Sequence, residues 1–428
     1  TVSVPNGYTR ANSNGSNTSY QTGYGNHGTP CASQAYGRQY GWAYNANKWF
    51  LNLLGGGNPG FAVGFELQKI FHQIKPTNSQ YGNQNPTISS NSWGRRFSAS
   101  DLGFNNSTDT GYYYYQQDGT GSGGVQFTGW DLDGNTDGAT GTAPKFMTNL
   151  NVDAGNQAVQ LEPQSGPEIT AGNELVASGV IFVVAAGNHN RKQVLSNNLD
   201  YNNYFSSSNN TALSASTFVN GGTTYLKTFN RPGYPGALGK TGSGNSVVYP
   251  TIEIGALDDD QQDNNEKERK VYYSNMGNAV SLYAAGDMTV AASQQSSGYN
   301  RYDAYYNSST QSGGVTSIVQ SLESSDRLFG GTSSACPTAA GLIATKLETN
   351  RTWTSDNVKN WLVNDVGQQT ENNFHTGSEV QGANNADWGT DDNNLHGGSP
   401  TVIWDAAAGG ANFPSFKLNE EFYGTSDA

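Results

Sequence analysis

The sequence predicts an α/β fold built on a central, mostly parallel sheet. Three observations carry that reading. A helical tail at Asn173–Ser178 is stopped by Gly179 and followed by Val180–Ala186 (VIFVVAA), a continuous apolar, β-branched run suited to a strand buried on both faces. Short β-rich runs and helix-like segments then alternate again toward the C-terminus. The polar excess gathers in two stretches, 98–166 and 190–246, rich in Gly, Asn, Asp, Ser and Tyr. Structureless loops that long are uncommon in compact domains, so both read as long loop/β insertions into one domain spanning 1–428.

Each element has its own signal. Val63, Leu67, Ile70, Phe71 and Ile74 fall on one face at helical spacing, which leaves His72 on the polar, solvated side. Thr87–Ser92 reads as a strand end, and Thr251–Ala256 and Val280–Ala285 as short strands. Ser333–Leu347 is rich in small residues and predicts a buried helix. Thr354–Val363 opens with a Thr/Ser/Asp cap signal and continues as an amphipathic helix; Thr401–Trp404 is a last strand.

Composition narrows the function. The 428 residues carry 22 Lys+Arg against 35 Asp+Glu, a net charge of -13, which excludes nucleic acid as the main partner. No run of about 18 apolar residues occurs, so no membrane span is expected. Thr1–Asn26 is polar and lacks a signal-peptide core. The 24 Tyr, 17 Phe and 8 Trp supply a core and argue against disorder. Few lysines and many asparagines point to an extracellular or virion-associated setting. Two cysteines, Cys31 and Cys336, make neither a disulfide framework nor a zinc site; they are two buried thiols or one disulfide.

The chemistry concentrates in three places. Gly331-Thr332-Ser333-Ser334-Ala335-Cys336-Pro337 sets a serine at the head of a small-residue helix, where free N–H groups favour developing negative charge. Pro337 is expected in the first turn, where its missing N–H matters little. Taken alone, the motif also fits a plain helix cap. His27-Gly28-Thr29 offers the base that such a serine needs. Ala185-Ala186-Gly187-Asn188 ends the buried strand with a side-chain amide able to donate to an oxyanion, or with an ordinary turn asparagine.

HGT, VVAAGN and GTSxAxP in that order resemble the signatures of the subtilisin-like serine proteases, the subtilases. Ser90–Gly94, Tyr249–Ala256, Tyr273–Gly277, Leu282–Gly286, Trp353–Val363 and Gly398–Ala407 extend the likeness from His27 to Ala407. The resemblance implies a three-layer subtilisin-like fold and a serine endopeptidase acting through an acyl-enzyme on a polypeptide substrate, with no cofactor in the chemistry. It implies Ser333 as nucleophile, His27 as general base and then acid, and Asn188 with the Ser333 N–H as oxyanion hole. Ser92, Trp93 and Gly94 would receive the substrate backbone, and Ala185, Ala186 and Gly187 would line the primary pocket, which the bulk of Trp93 would restrict. The alternative is an inactive or weakly active structural or binding protein of a virion or cell surface that keeps the same fold.

The resemblance also implies an Asp before the histidine, yet no Asp or Glu occurs from Thr1 to Asn26. Three readings stand. The acid lies on an upstream, non-covalently retained fragment; or Asn6 takes its place within Val2–Gly7; or another carboxylate substitutes, although Asp405 fits the closing strand better. Asp131, Asp133, Asn135 and Asp137 alternate like the ligands of a calcium loop, without the glycine and glutamate that complete one. They are the candidate site for a structural calcium.

Overall fold

The computed structural model describes residues 27–37, 41–51, 60–98, 110–115, 125–128, 158–189, 191–202, 204–206, 217–228, 230–257, 270–271, 274–286, 289–292, 326–369 and 401–403. In chain order the elements are α1 (Gly28–Tyr36), α2 (Gly60–Ile74), β1 (Ile88–Asn91), β2 (Phe97–Ser98), β3 (Thr110–Tyr115), β4 (Val125–Thr128), β5 (Ala158–Val159) and β6 (Pro163–Ser165). They continue with α3 (Pro167–Ala177), β7 (Ile181–Ala185), β8 (Tyr204–Ser206), β9 (Thr217–Asn220), β10 (Thr223–Leu226), β11 (Ile252–Leu257), β12 (Leu282–Ala285), β13 (Thr289–Ala292) and β14 (Asp326–Phe329). The last are α4 (Thr332–Leu347), α5 (Ser355–Trp361), β15 (Gly367–Gln369) and β16 (Thr401–Ile403).

The main sheet has the order β1-β7-β11-β12-β16-β15. Pairing is parallel from β1 through β16, and β15 is antiparallel at the end. Strand β7, second from one edge, is buried at every residue. The pleat sends Phe182 and Val184 to one side, against Phe65 of α2 and Ile169, Leu175 and Val176 of α3. Ile181, Val183 and Ala185 point to the other side, into a cluster with Ala335, Ala339 and Ile343 of α4 and Val358 and Trp361 of α5. Helices on both faces of one sheet make the three layers. They also explain why VIFVVAA carries no polar alternation.

The boundaries follow local chemistry. Pro167 stands in the first turn of α3, and Glu168 places a carboxylate at its positive end. Thr354 caps α5 with a reciprocal box, its hydroxyl accepting from Asn357 N–H while Asn357 Oδ1 accepts from Thr354 N–H. His72 is not solvated as expected. It is half-buried with Nδ1 2.9 Å from Thr87 Oγ1, and burial lowers its pKa.

The described parts of the two inserted stretches are β-rich and pair with each other. Strand β3 lies between β4 and β8, and β6 pairs with β10, which pairs with β9. A buried carboxylate fastens the same junction. Glu162 accepts from Arg231 Nη1 at 3.1 Å, from Tyr249 at 3.0 Å, from Gln164 at 2.7 Å and from Lys240. Burial alone would raise this carboxyl's pKa; Arg231 and Lys240 outweigh it, so the net shift is downward.

Candidate active site

Helix α4 starts where Gly331 turns the chain at φ 94°, a left-handed value suited to glycine. A side chain there would also press on Asn188, since a Cβ would stand 2.8 Å from its Nδ2. Ser333, half-buried, follows one residue into the helix. Pro337 lies deeper in α4 than the first turn, so its missing N–H does matter: the Ser333 carbonyl, four residues back, loses its i+4 donor. That carbonyl instead accepts from Ser92 Oγ at 2.9 Å and from Cys31 Sγ at 3.4 Å. Ser333 Oγ in turn donates to the Ser92 carbonyl at 3.4 Å. Residue 333 is therefore bound to residue 92 through both its hydroxyl and its backbone.

His27 occupies the N-cap of α1 and is exposed. Its Nδ1 lies 3.7 Å from Cys31 Sγ, one turn along, and the Phe329 ring meets the imidazole edge-on at 5.6 Å. Cys31 thus touches both His27 and the Ser333 carbonyl, where α1 packs on α4. That packing is close enough that a Cβ on Gly341 would stand 2.5 Å from the Ala35 carbonyl. Cys31 and Cys336 form no disulfide, and Cys31 is only partly buried. Burial pushes the Cys336 thiol up to about 11 against opposing hydrogen bonds from Ser90, Asn91 and Ser92, which keeps it protonated.

Asn188 is held by its oxygen. Its Oδ1 accepts from Thr332 N–H at 2.8 Å and from Thr332 Oγ1 at 2.7 Å, and Thr332 Oγ1 accepts from Gly187 N–H at 3.1 Å. The amide nitrogen is then directed to the Gly331 side, on an exposed residue beside Ser333. Ala185 and Ala186 face two different core clusters, and Gly187 is held by both backbone groups, its N–H donating to Thr332 Oγ1 and its carbonyl accepting from Asn275 N–H at 2.9 Å.

The 92–96 segment is pinned from behind. Arg95 forms a two-pronged ion pair with Glu168, at 2.7 and 3.2 Å. Trp93 does not narrow the pocket as expected. In extended backbone it points away from Ser92, and its ring packs on Phe61 at 4.5 Å and Tyr234 at 5.4 Å. Behind Gly94 and Gly187 lies a layer that sequence reasoning missed: Gln160, Gln193, Asn275 and His189. Burial, with Arg191 and Arg96 nearby, drives the His189 pKa down to about 3, so the ring is neutral above that. Asn275 lies in the Tyr273–Gly277 likeness, but no motif joins it to Gln160, Gln193 and His189, because the four converge only in the fold.

Asp131, Asp133, Asn135 and Asp137 lie outside the described residues, as do Asn6 and Asp405. Among the described residues no group of three or more His, Cys, Asp or Glu side chains is placed to hold a metal. No described helix is long and apolar enough to cross a membrane.

A serine at a helix N-terminus, with a histidine and a held side-chain amide at the C-terminal end of a parallel strand, belongs to the serine-peptidase class. The family model for the subtilase family, peptidase S8, matches residues 3–383, and the chain belongs to that family. Among solved structures it is similar to a cold adapted subtilisin-like serine proteinase, with 14% identity and a TM-score of 0.37 over 88% of this chain and 74% of the other. It is also similar to fervidolysin from Fervidobacterium pennivorans, a keratinolytic enzyme related to subtilisin, with 15% identity and a TM-score of 0.32. That match covers 61% of this chain and 26% of fervidolysin. No curated protein matches the chain.

Proposed function

We propose that the protein is a serine endopeptidase in which Ser333 attacks the peptide carbonyl and His27 takes and then returns the proton. The observation that carries the proposal is the hold on Asn188. With Oδ1 occupied by Thr332, its N–H₂ is free to meet the oxyanion together with the N–H of Ser333, at the positive end of α4. Donors fixed before the reaction stabilise the developing charge without reorganising during it. The scissile bond breaks as the amine leaves with the proton from His27, and water then hydrolyses the Ser333 ester. Ser92, Trp93 and Gly94 supply the backbone against which an extended polypeptide pairs.

The family mechanism pairs the imidazole with a carboxylate, and residues 1–26 contain none. The proposal includes an aspartate from outside these residues, and intact-mass measurement of the purified protein with any peptide it retains tests whether a separate segment carries it. A fluorophosphonate probe tests the chemistry. Labelling at Ser333, lost in Ser333→Ala and weakened in His27→Ala, is the expected result. A folded protein that takes no label overturns it in favour of a structural role.

A further inference from the structure

Three glycines make room for one glutamine beside Ser333. A Cβ on Gly233 would stand 2.5 Å from Gln160 Cβ, one on Gly94 would stand 2.6 Å from its Nε2, and one on Gly187 would stand 2.8 Å from its Oε1. The Gln160 side chain therefore runs between the two segments that flank Ser333: 92–94, joined to it through Ser92, and 187–188, joined to it through Thr332. A substrate paired with 92–94 and presenting its carbonyl to Ser333 Oγ and Asn188 would carry the side chain before the scissile bond toward this slot. Gln160 is 8% exposed.

The orientation of the glutamine amide follows from its neighbours. Asn275 Oδ1 accepts from the backbone N–H groups of His189 at 3.1 Å and Arg191 at 3.0 Å. Asn275 Nδ2 must then point the other way, donating to the Ala186 carbonyl at 2.7 Å and toward Gln160 Oε1 at 3.4 Å. Gln193 Nε2 also donates to Gln160 Oε1, at 3.2 Å, and to Ala186 O. Two donors facing Oε1 leave Nε2 of Gln160 turned to Gly94 and the slot. Glu162, two residues on, locks this stretch of backbone through Arg231, Lys240 and Tyr249. The rim adds exposed Arg96, 3.5 Å from His189 Nε2.

We propose that Gln160 is the specificity-determining floor of the primary pocket, presenting an N–H donor that selects substrates whose residue before the scissile bond ends in an acceptor oxygen, a carboxamide or a carboxylate. This rests on the peptidase reading. An apolar side chain at that position would cover the Nε2 donor without pairing it, which disfavours the substrate by about 10- to 100-fold.

The test uses matched fluorogenic peptides that differ only at that residue, carrying Gln, Glu, Leu, Phe or Lys. Wild type is expected to show the highest kcat/KM on Gln and Glu, and the ratio between these two reads how far Arg96 contributes. Gln160→Glu keeps the acceptor for Gln193 and Asn275 but replaces the donor, and should lower the Gln/Leu ratio about tenfold while raising cleavage after Lys. Gln160→Met, of similar length and without a donor, should lower the same ratio without the gain on Lys. Circular dichroism checks that both variants fold. Best cleavage after Leu or Phe by wild type, or one preference order shared by all three proteins, overturns the inference. Labelling of Ser333 with no residue preference overturns it alone, whereas absence of both labelling and cleavage overturns the peptidase reading and this inference together.

Discussion

Asn188 receives two hydrogen bonds from Thr332 on its amide oxygen, so its nitrogen is held toward Gly331, where the proposed oxyanion would lie. Asn188→Ala removes that donor and should lower kcat by about 10²–10³ with little change in KM, measured as the acylation rate on a peptide ester. The residue was legible in the sequence because AAGN ends a strand that is buried along its whole length, and the backbone there leads to a sheet's C-terminal edge. Its hold by Thr332 was not legible, nor was the contact of Cys31 with both His27 and Ser333. The first depends on how the end of β7 meets α4, and the bond from Cys31 to Ser333 on how α1 packs on α4, which no spacing within one segment encodes. Pro337 is the instructive miss: its distance from the helix start decides whether a carbonyl is orphaned. A shift of a few residues turned a harmless proline into the reason Ser333 bonds to Ser92.

Elements with a strong period or a cap were read nearly to the residue. Helix α2 was visible from its helical period and α5 from its opening Thr-Ser-Asp, but the face of α2 that reads as apolar is not the one that packs: Gly64 and Phe65 are buried, whereas Val63, Ile70 and Ile74 are exposed. The reciprocal hydrogen bonds between Thr354 and Asn357 give that signal its energy. Thr354→Ala should destabilise the protein by about 1 kcal/mol in urea unfolding, with Thr354→Ser close to wild type. Strands β2, β5 and β6 escaped notice because each has two or three residues, too few to show alternation. Gln160 sits between two of them, so the floor of the pocket fell in a region that reads only as polar loop. The 98–166 stretch is thus more than surface decoration, since its end reaches the site.

At the scale of the whole molecule, the central sheet contains an acid where apolar residues are expected. Glu253 lies on β11, is buried, and has a carboxylate oxygen without a hydrogen-bond partner. Burial pushes its pKa from 4.5 up to about 8, with Lys359 acting in the opposite direction. A folded-state pKa above the unfolded one means that the stabilising proton is fully held below pH 4.5 and is lost as the pH rises through 8. Across that window the group removes about 1.4 kcal/mol per pH unit. Glu253→Gln cannot titrate, so its stability advantage over wild type should grow from pH 5 toward pH 8 or so, read as a widening gap in urea midpoints; a constant gap would contradict the assignment. The composition gave no hint of this, because one glutamate among 35 acidic residues is invisible until the sheet surrounds it.

Strands β3 and β8 come from different insertions and share one ladder, and β6 and β10 share another. Trimming the chain toward a minimal peptidase therefore cannot proceed one loop at a time. Cutting out the first insertion leaves β8 without β3 and bares the edge of β10 that β6 covers, and cutting out the second leaves β6 without β10 and bares the edge of β3 that β8 covers. Either shortened protein would carry bare ladder edges able to recruit a second copy, and its first symptom would be self-association in solution ahead of any loss of the core. The strands of the two insertions stand or fall as a pair.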